Sequence, residues 1–181
     1  MIIMGIDPGL KGGIVHLDID SQKIIVYRMP VVETSKRIKG KNKIVNIYDI
    51  PRLFEAIIPC DEVYLERVGP MSSQGVTSVW RFGEGYGLIK SAVYGRTGRE
   101  ATLVSPQVWK KVFDLSDDKN LSRERAQEMF PLAAPQWKTK RARILDEGVT
   151  EAVLIAAWGA IVNHGITLDQ LKAMVTTEVL I

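Results

Sequence analysis

The chain has 181 residues, 46% of them hydrophobic and 25% charged, enough to bury one good core but short for two independent units, so one domain over residues 1–181 is expected. A formal net charge of only +3, against an isoelectric point near 9.0, excludes a global field strong enough to capture a polyanion, so such binding would have to come from local basic patches. Cys60 is the only cysteine, which excludes an intrachain disulfide and a cysteine-built zinc site; the longest apolar stretch, Val153 to Val162, is too short to cross a bilayer and lies just after Glu151, so no membrane partner is expected.

Residues 2–6 form an apolar run that predicts a first strand, and Asp-Pro-Gly at 7–9 supplies turn chemistry before GGIVHLDID. KIIVYRMP reads as a third strand, so the chain opens as a meander with turns near Gly9 and Ser21. Residues 35–43, SKRIKGKNK, carry five basic residues and no acid and predict a mobile loop. In NIYDIPRLFEAII, the apolar residues Ile50, Leu53, Phe54 and Ile57 have helical spacing; the segment leads into EVYLE, the fourth strand.

Residues 76–94 predict a helix in spite of Gly83, Gly85 and Gly87, each costing about 1 kcal/mol relative to alanine. Gly83 and Gly87 lie one turn apart, which predicts the close approach of another element there. The glycines lack the G-x-G-x-x-G spacing after a strand, which excludes a dinucleotide loop. ATLVS is a fifth strand, Pro106 starts a helix through QVWKKVF, and the acidic loop DLSDDKN precedes another helix that ends near Phe130-Pro131. A second basic patch, KTKRAR at 138–143, is followed by DEGVTE and a final apolar core helix.

Period-two alternation places Ile3, Gly5 and Asp7 on one face of the first strand, and Tyr64 and Glu66 on one face of the fourth. If these strands are parallel neighbours joined through the intervening helix, their terminal carboxylates meet at the carboxyl end of the sheet, where ligands of such sheets gather. On the last helix, Glu147 and Glu151 are four apart and share a face, a spacing at which like charges cost roughly a few tenths of a kcal/mol unless a cation lies between them. Asp146 suits an N-cap and Glu147 a first turn, whereas Glu151 is the one charge on an otherwise apolar segment and needs a partner. Three acidic sites with only two histidines in the chain point to oxygen ligation of a hard divalent cation, magnesium or manganese, and so to metal-assisted phosphodiester chemistry.

The segments GIDPGLKGG, VYLERVGPMSSQGVTSVWRFGEGYGLIKSAVYG, LVSPQVWKKVF, DDKNLSRERAQEMFP and EGVTEAVLIAAWG, in this order over nearly the whole chain, resemble the RuvC-type Holliday junction resolvases, especially the branch found in phages and prophages. The resemblance implies an α/β, RNase H-like fold, a mixed five-stranded sheet with helices on both faces, acting as a symmetric homodimer. It implies two Mg2+ per active site, with Mn2+ able to substitute, Asp7 between the metals, Glu66 as partner from the fourth strand, and Glu151 with Glu147 as helix-borne ligands. Lys119 and Lys110 match basic residues used near the scissile phosphate. The implied reaction is in-line attack of an activated water on a backbone phosphate, leaving 5′-phosphate and 3′-hydroxyl ends, with dimer symmetry matching a four-way junction so that paired nicks fall on opposed strands. Four-way junctions and other branched DNA would be recognised by shape and phosphate contacts, with residues 35–43 and KTKRAR contributing, so binding should weaken steeply with salt.

Two positions depart from the family pattern. Many relatives carry an aspartate four residues before the last glutamate, or two aspartates three apart; here the four-back residue is Glu147, the three-back residue is Gly148 and Asp146 lies next door, so the sequence leaves open which of Asp146 and Glu147 is a ligand. Some bacterial relatives place an aromatic wedge three residues after the strand-end acid, where this chain has Gly69, with Met71 as a nearby substitute. The first strand begins without a signal sequence, so the expected location is the cytoplasm of a bacterium or a phage-infected host cell. Two rival readings follow from the residues: a branched-DNA-binding protein with weak or no cleavage, given the altered third acidic motif, and an actin-like phosphotransfer enzyme, given Asp-x-Gly after the first strand. Chain length and the lack of a second phosphate loop disfavour the latter.

Overall fold

Alternation of apolar residues builds a sheet in which both faces are buried. The computed structural model describes residues 1–38, 40–70, 75–116, 118–139 and 144–180, leaving aside the side chains of Ile38 and Lys119. Strands β1 (Ile2–Asp7), β2 (Gly13–Asp18) and β3 (Lys23–Arg28) form the expected antiparallel meander. The chain then leaves the sheet as β4 (Val31–Ile38) and β5 (Lys41–Tyr48), paired only with each other. This ribbon replaces the mobile loop expected at 35–43. The β-branched residues Val31, Val32, Thr34, Ile44, Val45 and Ile47 favour strands, Gly40 takes the left-handed turn conformation, and the interleaved charges obscure that pattern in the sequence.

Helix α1 (Ile50–Ala56) is capped by Asp49, whose side chain accepts from the Arg52 N–H, and it returns the chain to β6 (Glu62–Glu66), parallel to β1 with Ile6 opposite Leu65. Helix α2 (Val76–Thr97) precedes β7 (Thr102–Val104), the edge strand parallel to β6. Then come α3 (Pro106–Val112), α4 (Lys119–Met129), a short 3-10 turn, α5 (Glu147–His164), α6 (Leu168–Lys172) and a last strand, β8 (Val175–Leu180), parallel to β3. All five expected strands are present, and β8 makes the sheet six-stranded in the order β7-β6-β1-β2-β3-β8. None of the helices among the described residues is long and apolar enough to cross a membrane.

The two sheet faces carry separate halves of the core. Met4, Ile6, Ile14, Val63 and Leu65 pack beneath α1 and α2, while Ile3, Val15, Leu17, Ile24, Val26 and Tyr64 pack beneath α5. Helix α5 is buried almost all round, with Val153, Leu154 and Ile155 fully enclosed, each such side chain contributing about 1.5–3 kcal/mol of hydrophobic stabilisation. It lies directly on β1, where a Cβ at Gly5 would collide with the Ala152 carbonyl oxygen and the Ala156 backbone nitrogen. On α2 the close approach is not at Gly83 and Gly87, which face open space, but at Gly85, against the Tyr48 ring. Buried Gly85, Ile89, Ala92 and Val93 define the inward face of that helix, leaving Gly83 and Gly87 outward.

Candidate active site

The close seating of α5 brings its first turns to the carboxyl ends of β1 and β6. At that point Gly12 and Gly148 form a backbone bridge, and a Cβ on Gly148 would strike the Lys11 carbonyl oxygen, so the β1–β2 turn and the head of α5 touch through backbone. Asp7 and Glu66 therefore meet at one end of the sheet, as the alternation and crossover argument expects, and Glu151 of α5 joins them there. Burial first, then the charges of Glu151 and Glu66, push the Asp7 carboxyl well above the ordinary carboxylate range; Glu147 adds to the push, and the Gly9 N–H, 3.5 Å from Asp7 Oδ1, opposes it.

Glu66 is 9% exposed and its carboxyl is also raised, by burial, against two opposing influences. The Trp109 indole N–H donates to Glu66 Oε1 at 3.1 Å, and the Lys110 charge favours the ionised form. Lys110 Nζ lies 5.5 Å from the centre of the Trp109 ring, so α3 delivers both an orienting donor and a cation to the site. Lys119 opens α4, and its side chain lies outside the described residues, as does Met71.

The neighbours Asp146 and Glu147 part company. Asp146 is the N-cap of α5: Oδ1 accepts from the Val149 N–H at 3.3 Å, and Oδ2 accepts from Arg28 Nε at 2.9 Å. One oxygen thus caps the helix and the other ties it to β3. Glu147 Oε2 lies 3.5 Å from Arg123 Nη2, and Arg123 also donates to the Leu145 carbonyl oxygen at 2.9 Å. Glu147 faces Asp7 across an open cleft of about 570 Å³, whose walls also include Lys11, Arg28 and Arg123. On the other side of Asp7, the Tyr48 hydroxyl donates to the Pro8 carbonyl oxygen at 2.8 Å; burial, then the Asp7 charge, raise its pKa to about 12 and keep it a donor.

Among the described residues, no three histidine, cysteine, aspartate or glutamate side chains already form a compact metal-ligand group. The donor set nevertheless suits a hard divalent cation, because it is all oxygen and Asp7 is crowded by like charge. Sequence reasoning missed the braces. Arg28, Arg123, Trp109 and Tyr48 had been assigned no role, although Arg123 falls one helical turn after Lys119 and Trp109 stands inside SPQVWKK.

The fold matches two solved structures from Thermus thermophilus. One is RuvC in complex with a Holliday junction substrate, with a TM-score of 0.55 and 13% identity, covering 88% of this chain and 95% of that one. The other is a RuvC structure with a TM-score of 0.50 and 13% identity, covering 90% of this chain and 97% of that one. This is a RuvC-like fold. Its mixed sheet with helices on both faces is the expected RNase H-like architecture. No family model and no curated protein matches the chain. In this RuvC-like fold the acidic strand ends and the head of α5 occupy one end of the sheet.

Proposed function

We propose that the protein is a metal-dependent, structure-selective endodeoxyribonuclease that resolves Holliday junctions and other branched DNA by paired symmetric nicks, acting as a homodimer in the cytoplasm. The phage and prophage branch stays part of the proposal on its motifs. The observation that carries the reading is the crowding of Asp7 by Glu151, Glu66 and Glu147 at one end of a RuvC-like sheet. Such repulsion is costly without a cation. Asp7, Glu66, Glu147 and Glu151 would hold two Mg2+ or Mn2+ ions, with Asp146 left to cap α5. When bound, such a pair supplies Lewis-acid activation of water and of the leaving oxygen, giving 5′-phosphate and 3′-hydroxyl ends.

The chain's own residues prepare that chemistry. Trp109 orients Glu66, Arg123 orients Glu147, and Lys110 and Lys119 would meet the phosphate. A second copy of the chain would pack on the outer stripe of α2, where exposed Val76, Trp80 and Tyr94 flank Gly83 and Gly87, so that a helix can approach closely. The absence of a compact ligand group among the described residues favours one alternative, a branched-DNA-binding protein with weak or no cleavage.

Cleavage of a labelled immobile four-way junction in Mg2+ or Mn2+ separates the two. Symmetric nicks that vanish in Asp7→Asn are expected. Tight binding with no nicks in either metal would establish the binding protein instead.

A further inference from the structure

We infer that the β4–β5 ribbon is a duplex-DNA arm, lying along the phosphates of a helical arm beside the cleavage site; this rests on the proposed DNA reading. The register places Lys36 directly opposite Lys43, and period two puts Lys41 on the same face. All three are exposed. Like charges directly opposed across a ribbon destabilise it, and a two-stranded hairpin is marginal by itself. No acid of the ribbon shares that face. The one acid of the ribbon, Glu33, lies on the other face, with Arg37. A polyanion with closely spaced charges supplies what the fold leaves out.

The ribbon's placement selects duplex DNA among polyanions. Its strands are eight residues long, a reach of about 26 Å, or roughly seven to eight base pairs of helix. A two-stranded ribbon also fits the width of a DNA major groove. Its base is fixed beside the carboxylates, through the Tyr48 hydroxyl on the Pro8 carbonyl and the Tyr48 ring on Gly85. Between the ribbon and α2 runs a groove of about 410 Å³, walled by Lys36, Ile47, Tyr48, Arg81 and one acid, Glu84, so its two cations outnumber its single carboxylate. Leu10 belongs to the wall of this groove and of the Asp7 cleft, so the two adjoin at that residue. DNA at Asp7 is thereby led past Leu10 onto the lysine face.

The test measures binding to immobile junctions with long or very short arms, across a salt series in chelator so that no strand is cut. For the K36A/K41A/K43A variant on long arms, the slope of log affinity against log salt should fall by about 2.7, close to 0.9 per phosphate contact. On arms too short to reach the ribbon, variant and wild type should coincide. The single change Lys36→Glu separates binding from folding: facing Lys43, it should hold or raise the melting temperature while weakening binding to long arms. An unchanged slope in the triple variant, with a wild type that binds and, in metal, cuts junctions, overturns the ribbon assignment alone. A wild type that binds neither junction nor duplex overturns the proposed function, and the ribbon with it.

Discussion

Asp7 and Glu66, at the strand ends, carry carboxyls raised above their ordinary range, whereas Asp146 and Glu147, at the head of α5, sit beside Arg28 and Arg123. Asp7 is buried among other acids, and Glu66 is buried with the Trp109 N–H and the Lys110 charge beside it; the helix pair borders an open cleft and is braced by guanidinium groups from β3 and α4. A carboxylate crowded by like charge, as Asp7 is, marks a place for a ligand; one whose two oxygens are both engaged by the fold, as in Asp146, marks a joint, and Glu147, with one arginine 3.5 Å away, stays on the cleft side. Adjacent residues of one kind of chemistry can thus belong to different categories, with tertiary partners deciding which.

Breaking the strand side should have the largest effect. Asp7→Asn is expected to slow junction cleavage by roughly a thousandfold or more, since several kcal/mol of metal assistance is lost and 1.4 kcal/mol is a factor of ten. It should also abolish any rise in melting temperature on adding Mn2+ to the wild type, measured by differential scanning fluorimetry. Glu147→Gln comes next, with a cleavage loss of roughly a hundredfold and little change in melting temperature, because its arginine partner stays hydrogen-bonded to the Leu145 carbonyl oxygen.

The Arg28–Asp146 joint should show the reverse. Arg28→Ala leaves a mostly enclosed carboxylate without its guanidinium, at 17% exposure, and should cost about 2 kcal/mol of stability in urea unfolding. Asp146→Asn keeps a good N-cap and loses only the ion pair, so about 1 kcal/mol is expected, with cleavage nearly intact. If Asp146→Asn abolished cleavage while Glu147→Gln did not, the roles assigned to the two would be exchanged. The smallest effect belongs to Trp109→Phe, which removes the donor to Glu66 but keeps an aromatic ring; a loss of roughly fivefold to tenfold in rate is expected from one charge-assisted hydrogen bond.

The strand side was legible in the sequence because it depends on local rules. Alternation sends Gly5 and Asp7, and Tyr64 and Glu66, to the face that α5 covers, and the crossover makes β1 and β6 parallel. On the helix side the sequence offered Asp146 as an N-cap, as found, but not its second partner, Arg28, which lies 118 residues away in sequence. The outward turn of Gly83 and Gly87 escaped for a related reason: glycines tell of permitted approach, and only the packed face of α2 says from which direction. The ribbon was hidden by its own lysines, whose charge outweighs the β-branched residues between them in any reading by composition. Strand β8, with Val175, Thr176 and Thr177 at its start, drew no reading at all, and it closes the sheet beside β3.

Glu151 rides on α5, the helix that both the sheet and the outer helices enclose. Regions that open locally are those with few buried contacts, and this helix is at the opposite extreme. The backbone amides of α5 should therefore be among the last to exchange with deuterium, and heating should extinguish cleavage only where the whole molecule melts. A candidate site carried on the core cannot be switched off by loosening a part; it persists for as long as the fold does.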